Sequence, residues 1–228
     1  MKIDPQRLLA FLFPSRCVGC GLRGVDLCER CFSTIRPLDS TCCPRCAGPS
    51  RFGAICPSCR RYDGPMAGVR AATSYDGVVR KAIHSFKYRH RQTLAASLAA
   101  LVGMEFRRRP LQVDILVPVP LHPRRLAARG YNQSALLAGE LSSLTGAPVA
   151  DLLERGRETA AQAGLKASQR RTNVRGVFRC SGSAELVGAR VGGVDDVCTT
   201  GATLEDCARA LREAGCTSGW GIVVARDL

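Results

Sequence analysis

In this chain of 228 residues, the stretch VGGVDDVCTTGAT at residues 191–203 is the most informative about the fold. It predicts a strand that ends in two adjacent carboxylates, Asp195 and Asp196, and a turn that then opens a helix. The N–H groups of such a turn, its hydroxyls and the helix dipole form a cradle for an anion of phosphate size. The residues of this predicted cradle are Thr199, Thr200, Gly201, Ala202 and Thr203.

The two carboxylates need a role of their own, because they would repel a bare phosphate. Accepting hydrogen bonds from the vicinal hydroxyls of a ribose suits both acids. The stretch therefore predicts a clamp for a ribose 5-phosphate, with the phosphate on the turn and the sugar on Asp195 and Asp196. The alternative is that Thr203 only caps a helix and that the acids face solvent. We prefer the clamp because the stretch combines all of these features within thirteen residues.

Strand and helix signals alternate along the chain around this stretch. The predicted strands are 69–75, 113–119, 191–197 and 220–225, and the predicted helices are 78–86, 93–106, 133–144 and 203–214. This alternation is typical of βαβ units and predicts an α/β fold, with a mostly parallel sheet and helices on both faces. Ligands of such folds bind at the carboxyl ends of strands. The loops after Val119 and Val197 are therefore the first candidates for a site.

Cysteine is the most unusual feature of the composition, since nine of thirteen cysteines lie in the first 59 residues. Eight of them form four Cys-x-x-Cys pairs, and each pair can direct two sulfurs at one metal ion. Tetrahedral zinc takes four ligands, so the pairs predict two structural zinc sites. We assign the ligands in chain order, first Cys17, Cys20, Cys28 and Cys31 and then Cys43, Cys46, Cys56 and Cys59. An interleaved pairing is open at this stage.

The same cysteines indicate a reducing compartment, because their total is odd and their pairs suit metal rather than disulfides. No small-residue cleavage site follows the short apolar stretch 8–13, so we expect a cytoplasmic protein and no secretion. No apolar run approaches the roughly 18 residues of a membrane span.

The chain divides into two predicted domains, at 1–62 and 63–228, joined by the polar, turn-prone residues 60–65. The first contains few large apolar residues, so we expect it to depend on metal for folding. We also expect the two domains to have separate cores.

Charge is unevenly distributed. Residues 1–59 carry a net +4, residues 60–130 carry +10, and residues 131–228 carry zero, which gives the total of +14. Only four of the 33 basic residues are lysine. Arginine forks suit phosphate, although a GC-rich genome gives the same bias. The remaining composition, 46% hydrophobic and 23% charged, is that of a globular protein and excludes a disordered or collagen-like chain.

Residues 191–203 resemble the phosphoribosyl pyrophosphate (PRPP) signature of type I phosphoribosyltransferases. Nearly the whole chain resembles the ComF/GntX family of competence-associated proteins, which join an N-terminal double zinc ribbon to a type I phosphoribosyltransferase-like fold. Further marks of that family are IHSFKY at 83–88, VPVPL at 117–121, RGYNQ at 129–133, and then Arg155, Arg157, Thr159, Gln162, Leu165, Arg170, Arg171, Asn173 and Phe178. One departure is Gly192 and Gly193, where the family favours bulky aliphatic residues. We expect this pair to weaken the packing of the strand.

The resemblance implies the rest of a PRPP site. The loop at Pro120-Leu121 would hold the departing pyrophosphate, and Arg125 and Arg129, with Arg124 in the same basic run, would neutralise it. Lys87 would reach a phosphate. The alternatives are an ordinary basic helix start for the arginines and a plain strand edge for the lysine.

The resemblance also implies a mobile loop and a magnesium ion. Residues 155–173 correspond to the loop that closes over PRPP, which would exclude water from the site. The alternative is a plain solvated helix. Mg²⁺ would bridge the pyrophosphate and the ribose hydroxyls.

The implied activity is phosphoribosyl transfer in connection with DNA uptake. A nucleophile, usually a base nitrogen, would displace pyrophosphate from the anomeric carbon of PRPP while Asp195 and Asp196 hold the ribose as the catalytic pair. The alternative is a non-catalytic accessory protein that handles single-stranded DNA and uses the fold as a sensor of PRPP or a nucleotide. The basic middle segment favours this alternative, but an aromatic content of 5% supplies a stacking platform poorly. A phosphoribosyltransferase and a non-catalytic accessory protein would both be able to associate with membrane-bound uptake machinery.

Overall fold

The computed structural model of the chain describes residues 15–38, 41–156, 176–182 and 186–228. Its strands are β1 (Met66–Ser74), β2 (Ile115–Pro118), β3 (Leu153–Arg155), β4 (Phe178–Cys180), β5 (Arg190–Cys198) and β6 (Ser218–Arg226). Its helices are α1 (Glu29–Ser33), α2 (Pro57–Arg60), α3 (Gly77–Tyr88), α4 (Leu94–Arg108), α5 (Pro123–Arg129), α6 (Gln133–Thr145) and α7 (Ala202–Glu213). Every strand and helix predicted from the alternation is present.

The central sheet has four strands in the order β1-β6-β5-β2, and every neighbouring pair is parallel. Parallel neighbours need crossover connections, which the intervening helices supply. The strands β3 and β4 form a separate antiparallel pair. The predicted α/β architecture is confirmed: a mostly parallel sheet has helices on both faces, and a small cysteine-rich module precedes it at the N-terminal end.

Two apolar cores cover the two faces of the sheet. On one face, α3, α4 and α6 pack against the strands, with Phe86, Leu137 and Ile222 fully buried. On the other face, Leu211 of α7 is buried against strand residues that include Val223. Because helices pack on both sides, the carboxyl edge of the sheet is left as the place where loops from several strands meet.

Gly192 does not leave a gap in the core. A Cβ atom at this position would lie 2.5 Å from Ile222 Cδ1 and 3.1 Å from Leu116 Cδ2, so these two side chains already occupy the space. At Gly193 the nearest atom would be the Trp220 carbonyl oxygen, at 3.7 Å. The expectation of weaker packing at Gly192 is therefore wrong, because large side chains on the neighbouring strands replace the missing one.

The N-terminal module shares its core with the sheet. Val18, Phe32 and Ile35 pack against the core formed with α3 and α4, while Leu38 and Ala47 are buried in the opposite core. The reason is size, since so short a segment cannot bury its own apolar side chains. The expectation of separate cores is wrong, and the domain boundary between residues 62 and 63 stays a prediction.

The sequence did not predict the short helices α1, α2 and α5 or the β3–β4 pair. Pro123 lies in the first turn of α5, where its missing N–H has no cost, and Gly130 ends the helix with a φ of +79°. Among the described residues, no helix combines the length and the apolar character that crossing a membrane requires.

Candidate functional site

The carboxyl ends of three strands converge on one cavity of about 580 Å³. Tyr75 follows β1, Val119–Leu121 follow β2, and Thr199–Thr203 follow β5, and all of them line the cavity. All but one of the single residues that the sequence assigned to PRPP lie on its wall, the exception being Arg124; those on the wall are Lys87, Pro120, Leu121, Arg125, Arg129, Asp195, Asp196, Thr199, Thr200, Gly201, Ala202 and Thr203.

Asp196 is the more buried member of the acid pair. It is 2% exposed, and its Oδ1 atom lies 2.8 Å from Lys87 Nζ. Its other oxygen, Oδ2, is buried and has no hydrogen-bond partner among the described residues. A buried acceptor without a partner costs free energy. A ligand hydroxyl or a hydrated cation at Oδ2 would remove that cost.

Asp195 is held by two donors to the same oxygen. Ser134 Oγ donates to Asp195 Oδ1 at 3.1 Å, and the Asp196 N–H donates to it at 2.8 Å. Burial, with the neighbouring charge of Asp196, raises the pKa of Asp195 from 3.8 to about 7 against the opposing effect of Lys87. Burial lowers the pKa of Lys87, but the two carboxylates outweigh it and raise that pKa above its usual 10.5. The site is thus electrostatically strained in the absence of a ligand.

The turn after β5 depends on Gly201, which precedes α7 with a φ of +83°. This left-handed conformation favours glycine because a side chain there is strained. The Ala202 N–H donates to Thr200 Oγ1 at 3.4 Å. Ala202, Thr203 and Leu204, at the start of α7, line the cavity. The positive end of the helix dipole therefore borders it.

Basic side chains outnumber the two acids on the cavity wall. They are Lys87, Arg125, Arg129 and Arg155. The guanidinium of Arg129 donates to Gln133 Oε1 and lies 5.3 Å from the centroid of the Tyr88 ring. Burial, with the nearby charge of Arg125, lowers the pKa of Arg155 below its usual value. This surplus of positive charge suits a ligand that carries several negative charges.

The structure adds Ser134 to the site and gives Arg155 a different place from the predicted one. Ser134 fixes Asp195 from α6, and it directly follows the family mark at 129–133, which was a signal that could have indicated it. Arg155 borders the cavity from β3, whereas the resemblance placed it at the start of a mobile loop.

The predicted site also included Arg124 and a mobile loop. Arg124 does not line the cavity, unlike its neighbour Arg125. Most of the predicted mobile loop, residues 157–173, lies outside the described residues.

The paired cysteines form two clusters, in each of which the four sulfurs lie within 4.8 Å of one another. The structure groups them in chain order, as Cys17, Cys20, Cys28 and Cys31 and as Cys43, Cys46, Cys56 and Cys59. Four zinc–sulfur bonds of about 2.3 Å in a tetrahedron separate the sulfurs by about 3.8 Å. The Sγ–Sγ distances of 3.6 Å for Cys17–Cys28 and 3.9 Å for Cys46–Cys56 fit that geometry. The clusters are structural zinc sites.

Backbone donors favour the thiolate form in both clusters. The Cys28 N–H donates to Cys17 Sγ at 3.4 Å, and the Cys56 N–H donates to Cys43 Sγ at 3.4 Å. Burial raises the pKa of Cys17, but its hydrogen bonds outweigh burial and lower that pKa to about 6. The same balance lowers the pKa of Cys43 to about 6. The thiolate is the form that zinc binds.

Comparison with known proteins places the chain in a family. Residues 8–60 match the family model of the double zinc ribbon domain. The chain is 30% identical over 227 residues to Competence protein F of Haemophilus influenzae, an alignment that covers 93% of this chain and 98% of that protein. The chain belongs to the ComF/GntX family. A second member, DNA utilization protein YhgH of Salmonella typhimurium, is 33% identical over 196 residues, with 83% of this chain and 85% of that protein covered. The family resemblance drawn from the motifs is confirmed.

Among solved structures, glutamine phosphoribosylpyrophosphate (PRPP) amidotransferase from B. subtilis, complexed with ADP and GMP, is similar with a TM-score of 0.42 and 21% identity. The alignment covers 61% of this chain and 30% of that chain, so the ComF/GntX chain spans about a third of the amidotransferase.

Proposed function

We propose that this chain binds PRPP in the cavity and transfers its phosphoribosyl group to an acceptor with release of pyrophosphate. One observation carries the proposal: an acid pair, a glycine-containing anion turn and a cluster of basic side chains border the same cavity of about 580 Å³. PRPP has a 5-phosphate, a ribose and a pyrophosphate. Each of these three parts has a complementary feature on the cavity wall.

The 5-phosphate binds on the turn at Thr199–Thr203, beside the start of α7. The ribose hydroxyls donate to Asp195 and Asp196. The buried Asp196 Oδ2, which lacks a partner among the described residues, gains one in this way. Binding therefore relieves a cost that the protein bears without ligand, and this relief favours a sugar with free vicinal hydroxyls.

The pyrophosphate binds between the loop at Pro120-Leu121 and the basic side chains of Arg125, Arg129 and Arg155. Guanidinium forks bind phosphate oxygens in pairs, which suits a diphosphate. The acid pair also fits a hydrated Mg²⁺, because this ion prefers oxygen ligands and Asp196 Oδ2 offers one. A magnesium ion bound there with PRPP would help to neutralise the leaving pyrophosphate.

The reaction breaks the bond between the anomeric carbon and the pyrophosphate oxygen and forms a bond from that carbon to the nucleophilic atom of the acceptor. The side chains orient the reactants and neutralise the leaving charge, and none of them serves as a covalent nucleophile. Asp195 and Asp196 hold the ribose while positive charge develops on it, which is why we propose them as the catalytic pair.

A screen for pyrophosphate release tests the proposal. The zinc-loaded chain is incubated with PRPP, Mg²⁺ and each of a set of purine and pyrimidine bases, and pyrophosphate is quantified. The control is the double variant Asp195→Asn/Asp196→Asn. We expect release above the hydrolysis background with at least one acceptor and no release by the double variant. Equal release by both proteins would overturn the proposed catalytic pair, and no release with any acceptor would overturn transfer.

We further propose a cytoplasmic role in DNA uptake. The names of the two relatives, a competence protein and a DNA utilization protein, support the connection with DNA. The eight metal-binding cysteines suit the reducing cytoplasm.

A second candidate function, direct handling of single-stranded DNA, is favoured by the basic segment 60–130. Within it, Arg80 and Lys81 lie on α3 and Arg89 directly follows that helix, and all three are exposed; the last residue of α3, Tyr88, is 63% exposed. Exposed cations next to an exposed ring suit a strand whose bases stack. The salt dependence of oligonucleotide binding, measured with and without PRPP, separates the two functions. Binding that weakens with salt and responds to PRPP supports a sensor, and no binding at low salt excludes this candidate.

A further inference from the structure

Arg226, at the end of β6, donates hydrogen bonds to the turn that we assign to the 5-phosphate. It lies opposite Cys198 in the parallel register of β5 and β6. Its Nη1 atom donates to the Cys198 carbonyl oxygen at 2.8 Å and also to the Thr199 carbonyl oxygen. One guanidinium nitrogen thus holds two consecutive carbonyl groups at the start of the turn.

Because the peptide bond is planar, these two hydrogen bonds also fix the direction of the N–H groups that follow the two carbonyls. In a trans peptide, the C=O of one residue and the N–H of the next point in opposite directions. Because the carbonyls of Cys198 and Thr199 point at Arg226, the N–H groups of Thr199 and Thr200 point away from it. Arg226 does not line the cavity, whereas Thr199 and Thr200 do. Two consecutive N–H groups aimed to one side form a concavity that binds anions.

Burying the guanidinium of Arg226 in this position costs free energy. Its Nε atom is buried and has no hydrogen-bond partner among the described residues. A buried donor left without a partner is uncommon in native proteins and needs an explanation. We explain the buried guanidinium by its charge. Arg226 lies on the side of the turn away from the cavity, and its positive charge adds to the attraction for an anion on the cavity side.

The second zinc ribbon lies on the other side of Arg226. A Cβ atom at Gly48 would be 3.7 Å from Arg226 Nη2 and 3.3 Å from Cys46 Sγ. The same knuckle is fixed to the sheet, because the Arg45 carbonyl oxygen accepts from the Val69 N–H at 2.6 Å. Arg226 therefore occupies the space between the turn and the second cysteine cluster.

We propose that Arg226 is a positioning residue of the phosphate subsite, which orients the N–H groups of the turn and braces the turn against the second zinc ribbon. The inference rests on the proposed function, since it assumes that the turn binds the 5-phosphate. It adds a residue from a different strand and gives the ribbon a direct part in shaping the site.

Calorimetric titrations with ribose 5-phosphate and with inorganic pyrophosphate test the proposal on the zinc-loaded chain. Arg226→Gln removes the grip on the carbonyls, and Arg226→Lys keeps the charge without the planar fork. Arg212→Gln is the matched control, because Arg212 also donates to a backbone carbonyl, that of Thr217 at 3.1 Å, but lies away from the cavity.

We expect Arg226→Gln to weaken ribose 5-phosphate about tenfold or more, the factor for one lost charge-assisted hydrogen bond. Binding of pyrophosphate and the zinc content should stay unchanged, and Arg212→Gln should bind both ligands normally. Arg226→Lys should remain well below the original affinity, because a single ammonium cannot hold two carbonyls as a guanidinium does. The amide signals of Thr199 and Thr200 in ¹H–¹⁵N spectra should shift in the Arg226 variants and not in the control.

The outcomes distinguish a failure of the proposed function from a failure of the positioning role of Arg226. If the original chain does not bind ribose 5-phosphate, the proposed function fails and this inference fails with it. If the original chain binds it and Arg226→Gln binds it equally well, only the positioning role is overturned. Full recovery by Arg226→Lys also overturns positioning, since charge alone would then suffice. If Arg226→Gln does not fold, Arg226→Lys gives the same comparison.

Discussion

Replacing Asp195 with Asn is expected to stabilise the fold at neutral pH while it weakens the site. Asparagine keeps an oxygen that can accept from Ser134 Oγ and from the Asp196 N–H, but it carries no charge. Burial and the charge of Asp196 raise the pKa of Asp195 to about 7 in the folded chain. Ionisation of this carboxyl therefore costs folding free energy, and the variant avoids that cost.

The size of the effect follows from the pKa shift. About three pKa units at about 1.4 kcal/mol each set an upper limit of about 4 kcal/mol. The cost is absent below pH 3.8, where the carboxyl is protonated in both states, and complete above about pH 7. The stability gained by Asp195→Asn should therefore grow between pH 5 and pH 8, by at most about 2.5 kcal/mol.

Urea denaturation at pH 5, 6.5 and 8 measures this gain as the difference in unfolding free energy between the variant and the original chain. Asp114→Asn is the control, because hydrogen bonds from Arg190 lower the pKa of Asp114 to about 2. Ionised Asp114 stabilises the fold, and this stabilisation is lost only as the pH falls from 3.8 towards about 2. Asp114→Asn should therefore lose nearly the same stability at all three pH values. If the stability gained by Asp195→Asn does not grow with pH, the raised pKa of Asp195 and the electrostatic strain of the acid pair are refuted.

Three further predictions concern the metal, the pyrophosphate and the core. Cys43→Ser should leave about one zinc ion per chain by elemental analysis and lower the unfolding free energy of the whole chain, because the ribbon shares both cores; two retained zinc ions would contradict this. Arg125→Ala should weaken PRPP far more than ribose 5-phosphate in calorimetry, whereas equal losses would mean that this arginine does not serve the pyrophosphate. Gly192→Val should destabilise the fold by about 1–3 kcal/mol through overpacking against Ile222, with Gly193→Ala as the tolerated control in the same denaturation assay.

The sequence predicted the parts of the site whose chemistry is local. Residues 191–203 carry the strand, the acids and the turn in one stretch, so the ligand chemistry and the chain geometry could be inferred together. The place of Lys87 required the family resemblance, because α3 reaches Asp196 only through the tertiary fold. Arg226 could not be predicted, since it contacts Thr199 across 27 residues and belongs to no motif of the turn.

The two wrong expectations about packing have one physical cause. Whether Gly192 leaves a gap depends on which side chains of the neighbouring strands fill the space, and here Ile222 does. Whether the ribbon has its own core depends on where Phe32 and Leu38 pack, and they pack against the sheet and its helices. Neither answer is contained in the local sequence, because both depend on the pairing of segments distant in the chain.

A calorimetric titration with PRPP and Mg²⁺, on the original chain and on Asp195→Asn/Asp196→Asn, tests the ribose clamp most directly. We expect the original chain to bind PRPP and the double variant to bind it more weakly by at least about 1.5–3 kcal/mol, the value of charge-assisted hydrogen bonds. Inorganic phosphate should bind both proteins alike, because the turn at Thr199–Thr203 is unchanged. A double variant that binds PRPP with the affinity of the original chain would contradict the binding of the ribose by Asp195 and Asp196.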